Sequence, residues 1–225
     1  MGKFNLTLLK DCKIEIFALI SLLAIQFILF GNLLSGVVGT LIALLLSLVM
    51  LVKKEEVIKK LKDKQASYSF FLCFIKGIED NVGVKASYES ASRYLVSHQE
   101  IIPYEELDSN HNLLLYDFQR YFNFILLKDQ NNEAQILFYR PLMEEVKLKL
   151  HLLEEDIAKI KKRYLYLMLF LLALLLLLVT FTSMQNMKEV FTSSIYFMAS
   201  AFLLSLLAPC YFFMEYQSYR GILNA

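Results

Sequence analysis

The chain has 225 residues, of which 57% are apolar and 20% are charged, and its formal net charge is +1. This apolar excess is typical of membrane proteins and excludes an ordinary soluble domain. The three cysteines have no paired spacing and indicate neither a disulfide framework nor a zinc site. Basic residues gather at the edges of apolar runs, which argues against nucleic acid as a partner and for contact with anionic lipid.

Two apolar stretches near the N-terminus are candidates for membrane-spanning helices, which need roughly 17 to 25 apolar residues. They cover residues 16–30 and 33–52, after a tail at residues 1–15. Because lysines precede the first stretch, a secretory signal peptide is the alternative interpretation of residues 16–30. Only Gly31 and Asn32 separate the two stretches, and this short connection favours a tight transmembrane hairpin.

Small residues recur at every fourth position of the second stretch and would form a flat ridge along one helix face: Ser35, Gly39, Ala43 and Ser47. Such ridges let membrane helices approach closely, because packing rather than the hydrophobic effect drives their association. The alternative is a chance scatter of small residues on a helix that faces lipid.

Residues 53–163 combine charged residues with apolar residues at helical spacing, which predicts a small helical domain. Within it, Asp80, Asn81 and Gly83 tolerate turn or left-handed geometry and predict the bend of a helical hairpin. We expect Gly83 to have a positive φ or to form a tight helix-to-helix turn, where only glycine avoids the steric penalty. The arm after the bend carries a candidate partner-docking face made of three charged residues: Lys85, Glu89 and Arg93.

A heptad seam follows later in this domain and leads directly into the third apolar stretch. Its residues alternate spacings of three and four: Met143, Val146, Leu150, Leu153, Ile157 and Ile160. The pattern is that of a coiled coil, and it fits either a two-chain coiled coil or packing inside the domain's own bundle. In both cases one helix is expected to join the domain to the membrane.

The third and fourth apolar stretches cover residues 164–183 and 191–214, followed by a tail at residues 215–225. The N-terminal tail carries three lysines, and Lys and Arg lie at both ends of the middle region, so both termini and that region are predicted to be cytoplasmic. The expected fold is an all-α integral membrane protein. It has four transmembrane helices in two pairs, with a cytoplasmic helical-bundle domain between the pairs.

No catalytic constellation can be assembled from the sequence. His98, His111 and His151 lie in different predicted elements, and the glycines form no phosphate-binding loop. We therefore expect a protein that is not an enzyme and has no cofactor and no metal. The predicted spans contain no Asp, Glu, Lys or Arg in their interiors, which gives little support to a transporter.

The stretch "NVGVKASYESASRYL" resembles the glycine turn of the F-domain platform proteins of type II secretion and type IV pilus systems. It offers Gly83, Val84, Ala86, Tyr88 and Ala91, with Leu95 one turn later. In layout the chain is most similar to the two small platform proteins of the tight-adherence (Tad) pilus machinery. The second hairpin, near residues 110–132, lacks the family's second glycine turn.

The resemblance implies a platform protein of a bacterial inner membrane that has no catalytic role. Its implied partners are a cytoplasmic secretion ATPase, a second platform protein and pilin-like subunits, in a homo- or hetero-oligomer. A membrane adaptor or sensor unrelated to secretion is the alternative, and a small transporter is a further one.

Overall fold

The structure is a computed structural model that describes residues 20, 34–96, 98, 101–107, 113, 115–130, 139–183 and 206–224. Its α-helices are α1 (Leu34–Glu79), α2 (Val84–Ser92), α3 (Gln119–Gln130), α4 (Tyr139–Ser183) and α5 (Leu207–Asn224). Two short 3-10 helices cover Tyr104–Glu106 and Tyr116–Phe118. All regular structure in the described ranges is helical, so the all-α prediction is confirmed there.

The helix α1 runs without a break through residue 53, where the sequence had placed the boundary between the second span and the domain. Among the described residues, α1 is the one helix long and apolar enough to cross a membrane. Only 28% of its most apolar stretch is buried within the protein, whereas the core helix of a soluble protein is mostly buried. The four-span arrangement stays a prediction, because α1 alone meets this criterion among the described residues. Residues 16–30 except Ile20, and residues 191–205, lie outside the described residues.

The chain divides into two compact units. We call Met1–Val57 with Lys159–Ala225 the terminal unit, and Ile58–Ala158 the central unit. The helices α1 and α4 each contribute residues to both units. The predicted placement of residues 53–163 in the cytoplasm stays a prediction.

In the central unit, α1 and α4 lie side by side and antiparallel. Arg140 Nε lies 3.8 Å from Glu79 Oε1, near the end of α1 and the start of α4. Further along, Gln65 Nε2 donates a hydrogen bond to Glu154 Oε1 at 2.8 Å. The two pairs are equally spaced along both helices, so the helices keep one register over this length.

An aromatic cluster fills the centre of this unit. Phe70 meets the ring of Tyr88 on α2 edge to face, with ring centroids 5.8 Å apart. Phe71 stacks on Phe118 at 5.0 Å, and Phe74 lies 5.1 Å from Phe122 on α3. Each large ring removes apolar area from water, and edge-to-face and offset pairs add to that stabilisation. The cluster thereby holds α2 and α3 against α1.

Candidate docking hairpin and helix junction

The hairpin bend begins with a Schellman ending of α1. The Val82 amide donates to the Gly77 carbonyl at 3.0 Å, and the Asn81 amide donates to the Ile78 carbonyl at 3.0 Å. Asn81 has φ 58°, the left-handed conformation that this ending requires. Asparagine adopts that conformation more readily than most residues do, so Asn81 rather than a glycine closes the helix.

Gly83 has φ 90° and ψ 154°, just before the first residue of α2. This region of backbone space is essentially restricted to glycine, because a side chain would collide with the backbone there. The sequence predicts a positive φ or a tight turn at Gly83, and the structure gives it a positive φ. Nothing lies within 4 Å of the position that a Cβ would occupy, so the backbone alone demands glycine.

The two arms of the hairpin touch at Gly77 and Ser87. A Cβ on Gly77 would lie 2.5 Å from Ser87 Oγ and 2.9 Å from Ser87 Cβ. Ser87 is fixed in turn, because its Oγ donates a hydrogen bond to the Gly83 carbonyl at 2.6 Å. In the sequence, Gly77 stands alone in a stretch of helical spacing. The pairing of two small residues across a short turn was the signal that could have found this contact.

The helix α2 is amphipathic in the way that its sequence predicts. Its inner face buries Val84, Ser87, Tyr88 and Ala91. All three residues of the predicted docking face, Lys85, Glu89 and Arg93, are exposed. Arg93 Nε donates to the Ser90 carbonyl at 3.2 Å, which folds the guanidinium back along the helix. The face is therefore a solvated surface of mixed charge.

The second arm is shorter than its apolar spacing predicts, because α2 ends at Ser92. Tight turns follow, in which the Tyr94 amide donates to the Ala91 carbonyl and the Leu95 amide to the Ser92 carbonyl. The Ser92 hydroxyl also bonds to the Glu89 carbonyl at 2.7 Å, and such local bonds compete with a regular helix. Leu95 is nevertheless buried.

The heptad seam of α4 is the least exposed line of that helix. Val146, Leu153 and Ile160 are buried, and the residues between them on the seam, Met143, Leu150 and Ile157, are half-buried. Buried residues of α1 follow the same spacing of three and four: Leu61, Lys64, Tyr68, Phe71, Ile75 and Ile78. The second half of this line, Phe71, Ile75 and Ile78, is apolar at helical spacing in the sequence, but Lys64 interrupts the pattern toward Leu61.

A polar group beside the aromatic cluster connects α1, the 3-10 helix and α4. Tyr68 Oη donates to Asp117 Oδ2 at 2.8 Å, and Lys149 Nζ lies 3.4 Å from the same oxygen. Burial, and then the bond to Asp117, raise the pKa of Tyr68 above its ordinary 10.0. Partial burial acts to raise the pKa of Asp117, but the bond from Tyr68 and the charge of Lys149 outweigh it and lower that pKa.

In the terminal unit, a buried ion pair joins α1 to α5. Lys54 Nζ lies 3.3 Å from Glu215 Oε2, and the two side chains are 0% and 5% exposed. The ammonium group also lies 5.9 Å from the ring centroid of Phe212. A buried charge is tolerated only when it is paired, so this contact fixes which faces of α1 and α5 meet. Lys54 and Glu215 lie at the ends of two predicted spans, and nothing in the sequence pairs them.

The helix α4 joins the same junction through tyrosines. Tyr211 Oη donates to the Tyr164 carbonyl at 2.9 Å, and the two rings meet edge to face at 5.6 Å. The Tyr164 hydroxyl lies 2.9 Å from Ser218 Oγ. Glu215 and Ser218 lie about one helical turn apart on α5. Their partners, Lys54 of α1 and Tyr164 of α4, therefore lie at nearly the same height along α5.

The predicted small-residue ridge coincides with the buried line of the first part of α1. Gly39, Ala43 and Ser47 are buried, and the side chain of Ser35 lies outside the described residues. Leu41, Leu45 and Val49, on other faces of the helix, are exposed. The small residues therefore lie where the helix packs, and the large apolar residues lie outside.

Chemistry-bearing side chains are sparse in the described part of the chain. No group of three or more His, Cys, Asp or Glu side chains is placed to hold a metal ion there. The closest arrangement is a pair, His98 Nδ1 at 2.7 Å from Asp63 Oδ1, which ties the segment after α2 to α1.

No protein family, curated protein or solved structure matches the chain.

Proposed function

We propose that this chain is an assembly-platform protein of a bacterial inner membrane, of the F-domain type used in type II secretion and Tad-like pilus machines. In this proposal it is not an enzyme. It couples a cytoplasmic ATPase to the movement of pilin-like subunits, together with a second platform protein. Four spans at residues 16–30, 33–52, 164–183 and 191–214 hold it in the membrane, with both termini and residues 53–163 in the cytoplasm.

The continuity of α1 and α4 is the observation that carries the proposal. At 1.5 Å per residue, helices of 46 and 45 residues are each close to 70 Å long. A hydrocarbon core of about 30 Å takes up less than half of that length. Each helix is therefore longer than a span needs, and each contributes residues to both units without an intervening loop, which suits a scaffold.

The hairpin supplies a suitable docking element. Its bend is fixed by the backbone conformations of Asn81 and Gly83, and its arms are fixed by the Gly77–Ser87 contact. On this rigid support Lys85 and Glu89 of α2, and Arg93 directly after it, are exposed to solvent. Exposed charges of both signs give orientation and partner choice more than raw affinity. That property fits a partner that must engage and release repeatedly, as an ATPase does.

A membrane adaptor or sensor unrelated to secretion is the second candidate, and one observation favours it. The family's second hairpin should contain a second glycine turn, but the chain has no glycine between Gly83 and Gly221. Near that place the positive φ belongs to Tyr116, at 49°. A turn that uses a tyrosine where the family uses a glycine fits a helical domain that binds another kind of partner.

The deciding experiment is affinity capture of the tagged full-length protein from its native membrane after mild cross-linking, with mass spectrometry of the partners. The platform proposal expects a secretion-type ATPase among them. The triple variant Lys85→Ala, Glu89→Ala, Arg93→Ala should lose that ATPase. The matched control Lys62→Ala, Glu144→Ala, Lys147→Ala removes the same charges from exposed positions elsewhere in the central unit and should keep it.

Capture of neither an ATPase nor a pilin-like subunit by the wild-type protein would overturn the platform proposal in favour of the adaptor. Loss of the ATPase from both triple variants alike would show that α2 is not the docking face.

A further inference from the structure

The exposed charges at the helix junction are nearly all basic. We call the exposed basic residues of the described terminal unit the basic collar: Lys53, Lys159, Lys161, Lys162, Arg163 and Arg220. Against these six, the described part of that unit exposes one acidic residue, Glu56. Glu55 and Glu215 are buried, the latter against Lys54. Burial of the acidic groups inside the junction leaves its outer surface positive.

The central residues of the collar lie where the apolar parts of two helices end. Lys53 is next to Lys54 on α1, and Arg163 is next to Tyr164 on α4. The contacts of Lys54 and Tyr164 with α5 put both at one level of the junction. No charged residue lies between Leu34 and Val52, or between Tyr164 and Ser183. The positive charge therefore adjoins two uncharged helical segments.

The side chains next to the collar have the character of a membrane interface. Tyr166 is exposed, and Lys162 Nζ lies 6.0 Å from its ring centroid. Leu169 and Phe170, a turn further along α4, are exposed as well. In membrane helices, tyrosine and lysine lie at the level of the lipid headgroups, and exposed apolar residues follow in the hydrocarbon core. The order of side chains along α4 is the same. Lys53, Lys162 and Arg163 form no ion pair with any described residue.

We propose that the basic collar binds anionic lipid headgroups, with Lys53, Lys162 and Arg163 as its central contacts. A phosphate-bearing headgroup supplies the negative charge that the collar lacks, and its acyl chains cover the exposed apolar residues beside it. The proposal rests on the membrane location proposed above and does not depend on the ATPase. Each basic residue near an anionic surface favours binding by about fivefold.

Native mass spectrometry of the full-length protein in detergent, offered equal amounts of phosphatidylglycerol and phosphatidylcholine, tests the proposal. The wild-type protein should retain phosphatidylglycerol over phosphatidylcholine by roughly tenfold or more. The variant Lys53→Gln, Lys162→Gln, Arg163→Gln should lose that preference. The control Lys76→Gln, Arg120→Gln, Lys147→Gln removes the same charges from exposed positions of the central unit and should keep it.

A second measurement on the wild-type protein does not depend on how the variants fold. The preference should weaken as ionic strength rises from about 0.05 to about 0.5 M, because salt screens exposed charges. A wild-type protein with no preference, or a collar variant that keeps the full preference, overturns the proposal. Release of the wild-type protein from native membranes by alkaline carbonate would instead overturn the membrane location. Retention without lipid preference overturns the collar alone.

Discussion

Gly77 of α1 and Ser87 of α2 approach so closely that a Cβ on Gly77 would lie 2.5 Å from the Ser87 hydroxyl oxygen and 3.3 Å from Ser87 Cα. Rotation of the hydroxyl relieves the first contact but leaves the backbone contact in place. The hairpin therefore depends on the absence of a side chain at a position where helix propensity alone would favour alanine.

We expect Gly77→Ala to destabilise the protein by about 1–3 kcal/mol, because overpacking forces the two arms apart. Thermal unfolding of the full chain, followed by far-ultraviolet circular dichroism in detergent, measures the change. The control is Gly221→Ala on α5, where nothing lies within 4 Å of the added Cβ. That variant should gain up to about 1 kcal/mol from helix propensity. A stabilised Gly77→Ala protein would contradict the close approach.

The two positive-φ residues of the bend should respond differently to substitution. Gly83→Ala should cost about 1–3 kcal/mol through backbone strain alone, since φ 90° and ψ 154° disfavour any side chain. Asn81→Gly should be neutral within about 0.5 kcal/mol, because glycine adopts the left-handed conformation at Asn81 without penalty. Urea unfolding of both variants gives the comparison. Equal stability of Gly83→Ala and the wild-type protein would place the bend elsewhere.

Neighbouring leucines on α4 test whether the heptad seam packs within one chain. Leu153 is 5% exposed and Leu152 is 47% exposed. Leu153→Ala should therefore cost about 2–5 kcal/mol, and Leu152→Ala about 0.5 kcal/mol or less. The unfolding midpoint should not depend on protein concentration. If Leu153→Ala leaves folding intact but converts an oligomer to a monomer, the seam is intermolecular instead.

Removing one partner of the buried ion pair should be far more harmful than removing both. Lys54→Met removes the ammonium group that lies beside the buried Glu215 carboxylate, at a cost of about 3–5 kcal/mol. The double variant Lys54→Met, Glu215→Leu should recover most of that loss. A double-mutant cycle on thermal stability measures the coupling. Additive effects of the two substitutions would mean that the pair does not hold the junction.

The loss of stability at alkaline pH should depend on Tyr68. Burial raises the pKa of Tyr68 above 10.0 in the folded protein, so the unfolded chain ionises first as the pH rises. Stability is then lost above about pH 10, by at most about 1.4 kcal/mol per pH unit for this group. Tyr68→Phe removes this ionising group, so the free energy of unfolding should fall less steeply with pH between about pH 10 and 11.5. Tyr94→Phe, at an exposed position, is the control and should keep the wild-type slope.

Local sequence was sufficient for features that depend on residues close together along the chain. The alternation from Met143 to Ile160 predicted which line of α4 is least exposed, because helical period alone assigns a face. The small residues of α1 marked its packed face for the same reason. Asp80 to Gly83 predicted a bend, since few residues tolerate left-handed or extended positive-φ geometry.

Tertiary structure alone decided the contacts whose partners lie far apart in sequence. Nothing near Lys54 indicates that it is buried, because its ammonium group becomes tolerable only when Glu215, 161 residues later, supplies the opposite charge. Lys64 hides the first part of the seam of α1 in the sequence, because a lysine normally marks a solvated position. Periodicity shows which face of a helix is apolar, but the burial of a polar group depends on the partner that the fold brings to it.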